Sequence, residues 1–101
     1  MQLTFSGEIW YWRGPSPYHF VTVPAPESAE LHDVSSMVSY GWGMIPVSAR
    51  INNASWTTSL FPKNGGYIVP VKDKVRVAEG LDVGDVVNIG LTVEARGRAR
   101  S

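Results

Sequence analysis

Thr58, Ser59, Lys63, Lys72 and Arg76 fall in one stretch of the chain, flanking a predicted hairpin and the start of a predicted short helix. Hydroxyls, ammonium and guanidinium groups, and the free amides of a helix start are the donors that hold a carboxylate or phosphate. Trp56 and Tyr67, in the same stretch, add aromatic surface against which a ligand's apolar part can rest. The expected ligand-binding set is therefore Trp56, Thr58, Ser59, Lys63, Tyr67, Lys72 and Arg76. Against it stands a plainer reading, a solvated rim in which Lys72, Arg76 and Glu79 only decorate the helix.

Other chemistries fare worse. Nucleophilic catalysis needs a hydroxyl or thiol with a base in reach. Thr58 and Ser59 are present, but the histidines are His19 on a strand and His32 on a helix, and no Gly-x-Ser-x-Gly elbow occurs. Metal binding needs converging ligands; His32 and Asp33 are neighbours on a helix and point about 100° apart. Asp82 and Asp85 belong to a turn that favours Asp for local reasons. Gly41-Trp42-Gly43 is followed by Pro46 where a dinucleotide loop requires glycine, and no Gly-Lys-Ser/Thr occurs. No catalytic residue, metal site or cofactor is expected.

Strands dominate the elements that must position these residues. Leu3, Phe5, Ile9 and Tyr11 alternate, predicting a first strand with Trp10 and Trp12 on its opposite face. After a turn at Arg13–Pro17, Tyr18–Val23 predicts a second strand. Pro26 and Glu27 suit a helix start, and residues 27–36 are expected to be helical, with Ala29, Leu31 and Val34 inward and Tyr40–Gly43 as the stop. Ile45, Val47, Ala49 and Ile51 share one face of a third strand, and Asn52-Asn53 turns it into a fourth, Ala54–Leu60. Pro62–Gly66 reads as a turn and Tyr67–Val71 as a fifth strand, where Pro70 implies an edge or a strand end. Lys72–Glu79 predicts a short helix with Val75 and Ala78 inward, stopped by Gly80. Val87, Ile89, Leu91 and Val93 then line a sixth strand. Six strands in about 100 residues predict a closed or nearly closed barrel.

The ordered set Trp56-Thr57-Thr58-Ser59-Leu60-Phe61-Pro62, Gly66-Tyr67-Ile68-Val69-Pro70-Val71-Lys72, Arg76 and Gly84-Asp85-Val86-Val87 resembles the bacterial family named domain of unknown function 1905. Val21-Thr22-Val23-Pro24 and the first hairpin match as well, so the likeness spans about residues 3–94. The resemblance implies a mainly β fold, a small double-split β-barrel of about six strands with two short α-helices. That fold is shared with swapped-hairpin transcription factors of the AbrB and MazE type. The segment Trp42–Pro46 departs from the family's plainer linker, so no site is carried over there.

Composition fits one domain. The chain has 101 residues, 44% of them apolar and none cysteine, which excludes disulfides and thiolate chemistry. Residues 1–94 are expected to form the barrel and residues 95–101 a disordered basic tail holding Arg96, Arg98 and Arg100. Without those three arginines the nine basic groups fall to six against nine acidic, a net charge of −3. That sign opposes nucleic-acid binding. Met1–Phe5 has no basic segment leading into an apolar run, and no apolar stretch approaches the ~18 residues of a membrane span. A cytoplasmic chain is expected, with no membrane partner. The function expected is a non-enzymatic binding module for a small anionic ligand or a protein partner, a homodimer among the candidates. The alternatives are an AbrB/MazE-like DNA-binding regulator and, third, an enzyme of unknown type.

Overall fold

Residues 1–14, 18–38 and 43–93 are described in a computed structural model, with the backbone alone for 36–38. Alternation draws Gln2–Trp12 into strand β1, where Leu3, Phe5 and Ile9 are buried and Thr4, Ser6 and Glu8 face water. Strand β2 is Tyr18–Thr22, helix α1 Ala25–Val38, β3 Ile45–Ile51, β4 Ala54–Lys63, β5 Gly66–Val71, helix α2 Asp73–Glu79 and β6 Val86–Val93. All neighbours are antiparallel, and the strands close a barrel in the order β1-β2-β5-β4-β3-β6. The fold is thus mainly β, a six-stranded barrel with two helices.

The two longest strands each change partner midway. β1 pairs with β6 over Gln2–Glu8 and with β2 over Ile9–Trp12. β4 pairs with β3 over Ala54–Leu60 and with β5 over Phe61–Lys63. These two exchanges are the double split, and they let short strands complete the circle and remove free edges. At the first exchange the loop before β6 takes the backbone groups of Ile9: its N–H donates to Asp85 O (2.9 Å), and Gly84 N–H donates to its carbonyl (2.8 Å). A Cβ at Gly7 would stand 2.7 Å from Val21 Cγ1, so glycine is what allows the close approach there. Inside, Ile45, Leu60, Val69, Val71 and Ile89 have no exposed surface. Each such aliphatic side chain contributes about 1.5–3 kcal/mol on burial.

Several local expectations change. The turn read at Pro62–Gly66 is only Asn64-Gly65, with φ 52° and 81°; β4 runs on through Pro62 and Lys63. Positive φ at both central residues is the two-residue hairpin geometry that matches strand twist. Pro70 has strands on both sides, but pairing to β4 stops at Ile68, so its missing N–H leaves no gap in that ladder. Helix α1 is longer than 27–36, and its inner face is Ser28, Leu31 and the half-buried Val34, whereas Ala29 is exposed. Ser28 Oγ donates to Val23 O (3.2 Å) and fits because Gly66 opposite has no side chain. In α2 Val75 is buried but Ala78 is exposed, while Gly80 ends the helix with φ 64°. Tyr11 is 42% exposed at the barrel mouth instead of buried. Parts of the turn at 13–17 and of the helix stop at 40–43, and the tail at 95–101, lie outside the described residues. No helix among the described residues is long and apolar enough to cross a membrane.

Candidate functional site

β5 divides the residues that the sequence groups together. Lys63 pairs with Gly66 at one end of this strand, and Lys72 follows Val71 at its other end. Six residues of strand span roughly 17–20 Å, which keeps Lys63 away from Lys72 and Arg76. Trp56 is 7% exposed, and its indole N–H is held by Pro70 O at 3.0 Å; Tyr67 is 5% exposed. Both pack in the barrel core, and Tyr67 also lines a smaller cleft of about 330 Å³ with Lys63. Arg76 is tied to its own helix end: Nη1 donates to Leu81 O (3.3 Å) and Nη2 lies 3.5 Å from Asp73 Oδ1. Lys72 is the exposed, extended residue before α2. Of the seven, Thr58 and Lys63 meet at one cleft, which Ser59, half-buried beside them on β4, does not line.

That cleft lies on the outside of the barrel. Register sets Trp10 opposite Phe20 and Trp12 opposite Tyr18, then Phe20 opposite Pro70 and Ile68 opposite Phe61. Their side chains therefore form a continuous apolar row across β1, β2, β5 and β4, aromatic except for Ile68 and Pro70 on β5. Ring centroids are 5.2 Å apart for Trp10–Phe20, 5.5 Å for Tyr18–Phe20 and 6.1 Å for Phe20–Phe61. The cleft encloses about 510 Å³ and is lined by Trp12, Tyr18, Phe20, Thr58, Phe61, Pro62, Lys63, Ile68 and Pro70. Trp12 and Phe61 stay 42% and 41% exposed, although both are large and apolar.

The floor is held in place by its neighbours. Trp10 Nε1 donates to Thr22 Oγ1 at 3.0 Å. Gly14 lies so close to the Trp12 indole that a Cβ there would strike it. Lys63 Nζ sits 5.0 Å from the Trp12 ring centroid, within cation–π range. No carboxylate among the described residues pairs with Lys63. Burial, and then the negative charge of Asp73, push the Tyr18 phenol above its ordinary pKa, so it remains a protonated donor. Among the described residues the polar side chains on the lining are an ammonium and two hydroxyls, with the Trp12 indole N–H, and none is a carboxylate.

A second polar cluster sits where β2 meets α2. His19 Nδ1 is buried without a hydrogen-bond partner among the described residues, 3.8 Å from Asp73 Oδ1, and its ring packs on Tyr11 with centroids 4.8 Å apart. Burial lowers the His19 pKa first and Arg76 lowers it further, against weaker opposition from Asp73 and Asp82. No group of three or more His, Asp or Glu side chains among those residues could hold a metal.

The sequence shows that Trp10-Tyr11-Trp12 must put rings on both faces of β1, but it does not point to Tyr18, Phe20, Phe61, Ile68 and Pro70 as their companions. Ending the fourth strand at Leu60 leaves Phe61 out. The signal that recovers it is Asn64-Gly65: a two-residue hairpin there extends β4 and sends Phe61 and Lys63 outward. No curated protein matches the chain. The family model described as domain of unknown function (DUF1905) matches residues 5–91, most of the barrel from β1 to β6. By that match the chain belongs to the DUF1905 family.

Proposed function

We propose that the protein is a non-enzymatic binding module of the bacterial cytoplasm, and that its binding face is the aromatic cleft on the outer wall of the barrel. One observation carries the reading: a concavity of about 510 Å³ with aromatic walls and few polar groups. Small-molecule sites have this size and make-up. Exposing Trp12 and Phe61 to water is unfavourable, and a bound apolar ligand relieves it. Lys63 supplies a positive charge at the rim that no carboxylate among the described residues offsets, which keeps an anionic ligand within the reading. The size of the cleft favours a small molecule over a protein face, since a stable protein interface needs about 800 Å² from each partner.

Thermal shift and tryptophan fluorescence across a panel of small aromatic compounds test this. Ligands should raise the unfolding midpoint of the intact chain and change its emission, and Trp12→Ala should lose both responses. A panel without any response would remove the proposal's support.

A further inference from the structure

We infer that the ligand of this cleft is a small aromatic monocarboxylate, its ring on the π faces of Trp12 and Phe61 and its carboxylate on Lys63. The inference rests on the cleft being the binding face. The walls set the shape: Trp12, Tyr18, Phe20 and Phe61 present flat rings, and Pro62, Ile68 and Pro70 fill between them. A planar apolar body covers such surfaces with the least loss of conformational freedom.

Charge sets the head group. Among the described residues Lys63 is the one charged group on the lining, and the polar groups that share the cleft with it, the Trp12 N–H and the Tyr18 and Thr58 hydroxyls, can all donate. Among the described residues the lining offers no carboxylate or side-chain amide, only the Tyr18 and Thr58 hydroxyl oxygens, to accept protons from a sugar's hydroxyls. A single ammonium balances a single negative charge. Residues 1–94, Lys63 included, carry a net −3, which disfavours a dianion more than a monoanion. Lys63 rests over Trp12 at 5.0 Å, so a ring arriving on that indole displaces the ammonium from the π face toward the incoming carboxylate. One short side-chain movement then replaces a cation–π contact with a charge-assisted hydrogen bond.

Calorimetric titration of the full chain with 2-naphthoate and with its neutral isostere 2-naphthamide separates the parts. The acid should bind about tenfold or more tightly than the amide, the scale of a charge-assisted hydrogen bond. Lys63→Met should reduce that preference to within about twofold, Lys63→Arg should keep it, and Trp12→Ala should remove binding of both compounds. Lys72→Met, at the far end of β5, should leave the preference unchanged. Equal binding of acid and amide, both lost in Trp12→Ala, would overturn the carboxylate inference and leave the cleft as the binding face. A preference that survives Lys63→Met but disappears in Lys72→Met would move the anion to the other end of the barrel. Failure of both compounds to bind, with a proline-rich peptide binding instead, would overturn the small-acid inference in favour of an extended-peptide groove. If nothing binds, both readings fail.

Discussion

His19 has 12% of its side-chain surface exposed and an Nδ1 that finds no partner among the described residues, although Asp73 lies nearby. Burial and the Arg76 guanidinium hold its pKa below the ordinary 6.5. The unfolded chain therefore takes up this proton more readily than the folded one. His19 leaves stability intact above pH 6.5 and reduces it as the pH falls from there toward the lowered folded value. Urea unfolding between pH 7.5 and 5 should show that decline, and His19→Gln should flatten it; an unchanged slope would mean that other groups cause it. Trp56 makes a different single-residue contribution, because its indole N–H is the partner of the Pro70 carbonyl at 3.0 Å. Trp56→Phe keeps the ring packing and strands that buried oxygen, an expected loss of about 1–3 kcal/mol in denaturant unfolding.

At the scale of elements, the two split strands hold the barrel together. β1 passes from β6 to β2 within a few residues, and Gly7 is where the crossing is tightest, 2.7 Å from Val21 Cγ1 for any added Cβ. Val21 is fully buried and has little room to yield. Gly7→Ala should cost about 1–3 kcal/mol, as overpacking usually does. Gly80 provides a contrast: its φ is 64°, yet a Cβ added there would meet nothing within 4 Å. Gly80→Ala should therefore cost only the backbone strain of a left-handed residue, about 1 kcal/mol. Equal losses at the two positions, measured by thermal unfolding, would show that crowding at the split does not matter.

At the scale of the whole molecule, the packed core and the proposed binding face lie on opposite sides of the same wall. Ile45, Leu60 and Ile89 fill the interior without exposed surface, while Trp12 and Phe61 stand outside it. Leu60→Ala should therefore cost about 2–5 kcal/mol. Trp12→Ala and Phe61→Ala should change the unfolding midpoint by only a few degrees while weakening aromatic ligands. A collapse of the fold in both outer variants would mean that the apolar row is structural and not a binding face.

The sequence by itself determined the inward set of the third and sixth strands, because a period of two places alternate residues on opposite faces whatever the strand later pairs with. Ile45, Val47, Ala49 and Ile51, and Val87, Ile89, Leu91 and Val93, are all buried as their alternation requires. Gly80 was legible as a helix stop for an equally local reason, its tolerance of positive φ. Partner exchange was not legible, since the switch of β1 and β4 depends on contacts with residues distant in the chain. The candidate site was half legible for the same reason. Lys63 and Thr58 were identified as useful groups, but only the register of β1 on β2 and of β5 on β4 brings Trp12, Tyr18 and Phe61 beside them. The length of β5, already legible in the predicted strand Tyr67–Val71, sets Lys72 and Arg76 apart from that group.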